Sequence, residues 1–249
     1  MKQKIIAIGG GDFKTYKTLE IDKEIVKLSG KKEPKFLFIP TASSDSADYS
    51  NTITKHFQDL NCRTDVLYLV KEKLSPEEIK FKILSADIIY VGGGNTLKMM
   101  RLWRRLGVDK LLDEARKQGT VLCGVSAGSI CWFNYGNSDS RKFKNPNADY
   151  IKVTALGFID AFHCPHYDVE ADRKASLKNM MKKYDAKQPG VAIAIEDCAA
   201  LEIIGDEYRI INSNGKANAY KIYWKNGKFY EELIEKSDGY KSLSGLLKK

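Results

Sequence analysis

Val121–Leu122–Cys123–Gly124–Val125–Ser126–Ala127–Gly128–Ser129 decides how the rest of this chain is read. A short apolar, β-prone run ends in Gly-x-Ser-x-Gly, and a helix-compatible run follows. That order predicts a strand, a sharp turn carrying Ser126, and a helix, the pattern of a nucleophile elbow. A serine hydroxyl is a weak nucleophile unless a fold holds it exposed beside a base. Gly124 and Gly128 leave room for the cramped backbone that does so.

Outward from the elbow, strand-like and helix-like runs alternate. Lys4–Ile8 is a strand ending at Gly9–Gly10–Gly11, and Leu19–Leu28 is a helix. Lys35–Ile39 is a second strand, ended by Pro40, and Thr41–Ala42–Ser43 opens a helix to about Leu60. Thr64–Leu69 is a third strand. Ser75–Pro76–Glu77–Glu78 combines a serine cap, a first-turn proline and a glutamate three residues on, the signature of a capping box. Ala86–Val91 is a fourth strand ending at Gly92–Gly93–Gly94, and helices over Asn95–Leu106 and Asp109–Lys117 lead to the elbow strand. Alternation of this kind predicts an α/β fold, a mostly parallel sheet with helices on both faces. Function in such sheets gathers at the carboxyl ends of the strands. Past residue 198 the pattern changes to short strand-like runs, with Asn214–Gly215 and Asn226–Gly227 as hairpin turns. The expected organisation is therefore one domain over 1–249: an α/β core to 198, an antiparallel β meander over 199–235, and a polar, loose tail over 236–249.

At 249 residues with 43% hydrophobic content, the chain can bury a full core. Its net charge of +9 comes from lysines spread along the whole length rather than a basic arm, so no nucleic-acid partner is expected. Five cysteines, an odd number without a C-x-x-C pair, suit a reducing compartment. With no secretory signal and no apolar run of membrane-spanning length, a cytoplasmic protein with no membrane partner is expected.

A serine nucleophile needs a base, a group that orients the base, and donors for an oxyanion. Only three histidines are available. His56 falls in a polar helix and reads as a surface residue. His163 and His166 follow the apolar run Val153–Phe162, where a loop at the active edge is expected, and either serves as the base. Asp139, Asp168 and Glu196 are the candidate orienting acids. Ala127 supplies one oxyanion N–H, and Gly93 or Gly94 the second. Rival motifs are weaker. Gly9–Gly10–Gly11 starts like a dinucleotide loop, but Lys14 stands at the third glycine position. His163-x-x-His166 lacks a matching ligand pair elsewhere, and Pro165 opposes a helical pair, so no metal is expected.

Tyr90–Val91–Gly92–Gly93–Gly94–Asn95–Thr96, Gly124–Val125–Ser126–Ala127–Gly128 and Pro165–His166 resemble, in order and spacing, the peptidase E (aspartyl dipeptidase) and cyanophycinase family of serine peptidases. The likeness covers about Lys4 to Leu201. It implies a fold like that of class I glutamine amidotransferases, with a flavodoxin-like sheet, and a serine where those relatives carry cysteine. By matching position it implies Ser126 as nucleophile, His166 as base, and Gly94 and Ala127 at the oxyanion. Asp139, slightly favoured, and Glu196 match two places argued for the third triad member. No cofactor is implied.

The expected function is hydrolysis of short peptides through an acyl-enzyme. Cleavage beside aspartyl groups is implied by the family and calls for a cation that grips a carboxylate. Arg141 and Arg173 are the nearest arginines, and Gly93 and Asn95 of the triglycine loop are further candidates for holding substrate. The expected partner is a small peptide, with a homo-oligomer left open. Two alternatives compete: an esterase-type serine hydrolase, which the 40-residue interval from serine to histidine suits badly, and a non-catalytic homologue that binds a small ligand.

Overall fold

The computed structural model describes residues 1–249 apart from 13, 14, 16, 170 and 188; Lys14, invoked against a dinucleotide loop, lies outside the described residues. The architecture is α/β, built on two sheets rather than one. In the first, β1 (Lys4–Ile8) pairs in parallel with β5 (Val121–Val125), followed outward by β4 (Ile88–Val91), β2 (Lys35–Ile39) and β3 (Arg63–Val66). On the other side of β1 lie β10 (Ala199–Ile204), β11 (Glu207–Asn212) and β14 (Lys241–Ser242), all antiparallel to their neighbours. The second sheet has the order β13 (Lys228–Leu233), β12 (Ala219–Lys225), β9 (Val191–Ile195), β8 (Ile159–Cys164), β6 (Phe133–Ser138), β7 (Ile151–Thr154).

Strand alternation sorts the core into layers. Ile5 and Ala7 of β1 face a core that also holds Ile193 and Ile195 of β9, together with Met99, Met100 and Trp103 of α4 (Thr96–Leu106) and Leu112 of α5 (Val108–Gln118). Ile6 and Ile8 face the opposite core, with Ile21 and Ile25 of α1 (Leu19–Leu28) and Ile53 and Phe57 of α2 (Ala47–Asp59). The far face of the second sheet, with Ala192 and Ala194, packs on Leu177 and Met181 of α7 (Ala171–Lys182). One core is thus shared by both sheets, with helices on the outer faces.

Several expectations change against this frame. The meander is divided: β10 and β11 extend the first sheet, whereas β12 and β13 extend the second. Asn226–Gly227 is a hairpin turn, both residues at positive φ (52° and 75°) between the paired Lys225 and Lys228, as a type I′ turn requires. Asn214–Gly215 instead lies on the crossover between the sheets, where the Asn214 side chain accepts from the N–H groups of Lys216 and Ala217. The tail is docked, not loose: β14 pairs with β11, and α8 (Leu243–Leu246) buries Leu243 and Leu246. The helix expected from Thr41 begins later, at a Ser46 cap, after a 3-10 turn over Thr41–Ser43. The capping box forms on α3 (Pro76–Leu84) as expected. All five cysteines are free and buried. His56 is buried rather than exposed, its Nε2 2.9 Å from Oδ2 of Asp22. No helix among the described residues is long and apolar enough to cross a membrane.

Candidate active site

Five strand ends meet at the seam between the sheets. β1 runs into Gly9–Gly11, β4 into Gly92–Gly94 and β5 into Ser126, while β8 leads to His166 and β9 to Asp197. The end of β1 anchors the others. Its Ile8 carbonyl accepts from the Ser126 N–H (3.2 Å), its Gly9 carbonyl from the His166 N–H (3.2 Å), and its Gly10 carbonyl from the Cys198 N–H (2.9 Å). A parallel bridge joins Gly10 to Asp197. Three successive carbonyls therefore fix the serine, the histidine and the chain beside the aspartate. The Gly9–Gly11 run, set aside in the sequence as a failed dinucleotide loop, forms the floor of the site.

Ser126 sits at φ 57°, ψ −113°, between β5 and α6 (Ala127–Ile130). A non-glycine residue holds such a conformation only when its surroundings over-determine it. The Ser126 carbonyl accepts from the N–H groups of Ser129 and Ile130, both at 3.0 Å. The Ser129 hydroxyl stands between that carbonyl (2.7 Å) and Nε2 of His163 (2.8 Å). Nδ1–H of His163 points at the Ile193 carbonyl, 2.9 Å away. His163 is wholly buried and stacked on Phe133. Burial pushes its imidazole down to about 3, so it stays neutral. The residue reading left two histidines open as the base and the resemblance pointed to His166; the structure places His163 under the elbow as a brace.

His166, at φ 53°, presents its ring to Asp197, with Nδ1 2.6 Å from Oδ1. Both side chains are partly exposed. Asp197 was absent from the sequence candidates, and the three that were weighed lie elsewhere. The Glu196 carboxylate accepts from the Asn218 N–H and the Tyr220 hydroxyl, each at 2.8 Å. Asp139 lies 3.9 Å from the buried guanidinium of Arg173. Asp168 stands one step behind, its Oδ1 accepting from the Asp197 N–H at 2.9 Å, and so fixes the aspartate rather than the ring. Gly10 is the close approach that makes the pair possible, because a Cβ there would overlap both the Asp197 carboxylate and the His166 ring.

The β4 loop closes the other side. Gly94 has φ 135°, and a Cβ on it would run into the Ala42 carbonyl. Gly93 lies directly against the Ser126 side chain, and its N–H donates to the Tyr49 hydroxyl (3.3 Å). Among the described residues the N–H groups of Gly94 and Ala127 meet no acceptor. Ala127 is the first residue of α6, where an N–H has no partner within the helix.

Two of the three remaining substrate-binding candidates have other work. Asn95 caps α4, its side chain accepting from the Lys98 N–H (2.9 Å) and donating to the Ser140 carbonyl (3.0 Å). Arg173 is 2% exposed, donates to the Asn137 carbonyl (3.2 Å) and lies over the Tyr150 ring. Arg141 is exposed on the loop after β6.

A serine held in strained backbone at a strand-to-helix turn, with a histidine–carboxylate pair anchored on the neighbouring strand, defines a serine hydrolase. The comparisons with known proteins narrow the class. Residues 5–211 match peptidase family S51. A Bacillus subtilis (strain 168) protein named uncharacterized peptidase YgaJ is 38% identical over 224 residues, covering 89% of this chain and 92% of its own. A peptidase E of Nostoc sp. is 38% identical over 112 residues, 43% of each chain. Among solved structures, a peptidase from an acI-B1 Actinobacterium superposes with TM-score 0.73 at 18% identity over 97% of both chains. A putative peptidase E protein from Listeria monocytogenes EGD-e gives 0.64 at 24% identity, over 85% of this chain and 99% of that one. The chain belongs to peptidase family S51 and is a serine-type peptidase.

Proposed function

We propose that this peptidase cleaves short peptides by acyl transfer through a Ser126–His166–Asp197 triad. The observation that carries the reading is the 2.6 Å contact between His166 Nδ1 and Asp197 Oδ1, on the same strand end that anchors Ser126. A carboxylate accepting from Nδ1–H leaves Nε2 unprotonated and free to act as base. In the first step Ser126 Oγ attacks the scissile carbonyl carbon while His166 Nε2 takes the hydroxyl proton. Negative charge moves onto the carbonyl oxygen, where the N–H groups of Gly94 and Ala127 receive it. As the C–N bond breaks, His166 returns the proton to the leaving amine. Water, deprotonated by His166, then attacks the acyl carbon; the ester C–O bond breaks and His166 returns the proton to Ser126 Oγ.

Cleavage next to aspartyl residues belongs to the same proposal and is supported by the likeness to proteins named peptidase E. Arg141 is the accessible arginine of the two candidates, so it is the one to receive a substrate carboxylate; Arg173 is enclosed. The test is a panel of X-Leu dipeptides with X as Asp, Glu, Asn, Leu and Lys. Ser126→Ala and His166→Ala are expected to lower kcat by at least about 10³-fold with unchanged Tm. Hydrolysis by Ser126→Ala at the wild-type rate overturns the reading.

A further inference from the structure

The exposed face of α4 is strongly basic. Some lysines and arginines elsewhere are paired with carboxylates: Lys23 with Glu20, Lys55 with Asp59, Lys82 with Asp65, and Arg116 and Lys117 both with Asp113. α4 carries Lys98, Arg101, Arg104 and Arg105 in eleven residues and no acidic residue. Lys98, Arg101 and Arg105 fall at i, i+3 and i+7, one stripe of the helix, where like charges repel. Lys98 reaches Ser44 Oγ at 2.8 Å, and Arg104 is committed to the Thr154 carbonyl. Among the described residues, Arg101, Arg105, Arg141 and Lys144 have no carboxylate partner.

These side chains share a cleft of about 820 Å³, lined by Lys98, Arg101, Arg105, Arg141 and Lys144 over an apolar floor that includes Leu97 and Leu102. No acidic and no aromatic side chain lines it. Its walls are fixed. Asp45 is buried, and its Oδ2 accepts from the N–H groups of Val70 (2.6 Å) and Lys71 (3.0 Å), which holds one side. Ser140 binds the opposite loop to α4, its Oγ accepting from the Leu97 N–H at 3.0 Å. Asn95, the residue after Gly94, also lines the cleft, which puts its edge one residue along the chain from the loop beside Ser126.

We infer that this cleft is an extended subsite for an acidic peptide segment, running from Arg141 along Arg101 and Arg105 beyond the residues that flank the scissile bond. The inference rests on the peptidase reading for its link to turnover, but not for binding. Cations held without partners over a fixed apolar floor suit a chain that carries carboxylates and buries some backbone and methylene surface. A nucleic acid is disfavoured because no aromatic platform is present on which bases could stack. From Lys98 to Arg105 the helix rises roughly 10 Å, which an extended peptide crosses in about three residues. The subsite therefore reads carboxylates spread along a short stretch, and of its cations only Arg141 is shared with the contact to the carboxylate beside the cleaved bond.

The test has a binding arm and a turnover arm. In the first, full-length Ser126→Ala protein is titrated into fluorescein-labelled hexaglutamate, hexalysine and a deoxythymidine decamer, with and without Arg101→Ala plus Arg105→Ala. Both arginines are exposed, and an unchanged Tm verifies the fold. Hexaglutamate is expected to bind, to weaken at high salt, and to lose about tenfold in affinity in the double variant; hexalysine is expected not to bind. Equal hexaglutamate affinity with and without the two arginines overturns the proposal. So does a decamer that binds more tightly than hexaglutamate through the same arginines. In the second arm, wild-type enzyme is given one cleavable dipeptide core extended on either side by Glu or by Ala residues. The kcat/KM ratio of Glu-extended to Ala-extended peptide is expected near ten, and near one in the double variant; a ratio near one in the wild type overturns the proposal. If no peptide is cleaved, the peptidase reading fails while the binding arm still decides the cleft.

Discussion

Asp197→Asn isolates what the carboxylate does for His166. The substitution keeps the side chain's shape but lets an amide NH₂ donate toward Nδ1. Nδ1 then becomes the acceptor, the ring proton moves to Nε2, and His166 no longer takes a proton from Ser126. The Nδ1–Oδ1 contact is 2.6 Å, with Asp197 itself fixed by Asp168 and by its bridge to Gly10, so the altered tautomer is imposed in place. The expected loss in kcat is roughly 10³–10⁴-fold, or about 4–5.5 kcal/mol of transition-state stabilisation. Stability behaves differently. The His166 and Asp197 side chains are 25% and 31% exposed, and a pair so open to solvent contributes less than about 1 kcal/mol. Activity is therefore lost with almost no shift in Tm. The assay is steady-state hydrolysis of the best dipeptide of the panel, beside thermal unfolding of the same preparation. Glu196→Gln is the control, because its carboxylate holds the Asn218 N–H and the Tyr220 hydroxyl. Losing the carboxylate that accepts both bonds is expected to cost about 1 kcal/mol of stability and less than tenfold in rate. An Asp197→Asn enzyme with more than a tenth of the wild-type kcat refutes the reasoning, as does a Glu196→Gln enzyme as dead as Asp197→Asn.

Two further outcomes follow from the same geometry. His163 titrates at about 3 in the fold, mainly through burial, but near 6.5 when unfolded, so the unfolded chain binds the extra proton between those values. Stability is complete above pH 6.5 and falls as pH drops toward 3, by about 4 kcal/mol from this group alone; urea unfolding of wild type and His163→Gln across pH 4–7 checks it, with a shallower slope in the variant. Gly10→Ala places a methyl group where His166 and Asp197 meet. It is expected to cost at least about 10²-fold in kcat through displacement of the pair, measured on the same dipeptide, while Gly30→Ala, at a glycine with open space around it but positive φ, changes stability only.

Much of the first sheet was legible because its strands are short apolar runs stopped by glycine or proline, as at Ile8–Gly9 and Ile39–Pro40, and because Ser75–Pro76 marks a helix start unambiguously. Ser126 and the Gly92–Gly94 loop were legible for the same reason: tight backbone demands residues that show in the sequence. The second sheet was legible only in part: its β12–β13 hairpin showed at Asn226–Gly227, but the rest did not read as a separate sheet. β6 reads Phe-Asn-Tyr-Gly-Asn-Ser, poor in strand formers, and is held by its neighbours β7 and β8 rather than by propensity. The run Val153–Phe162 spans two strands divided near Gly157, which has φ 77°. Asp197 was missed by one residue. Ala192 and Ala194 face α7, and Glu196 continues on that side to Tyr220; Ile193 and Ile195 face the shared core, and Asp197 continues on theirs toward Gly10. Alternation along β9 carries that signal, but using it requires knowing that the first sheet lies against that face. Residue chemistry alone did not separate His163 from His166, although the family resemblance pointed to His166; what divides them is a long-range partner, Ser129 for one and Asp197 for the other.

The central claim is that Ser126 is a nucleophile activated by His166. Labelling of the native enzyme with a fluorophosphonate, followed by intact and peptide mass spectrometry, tests it most directly. A single adduct on Ser126 is expected, absent in Ser126→Ala and at least about 10²-fold slower to form in His166→Ala. An enzyme that stays unlabelled while it hydrolyses peptides, or one labelled at another serine such as Ser129, contradicts the account.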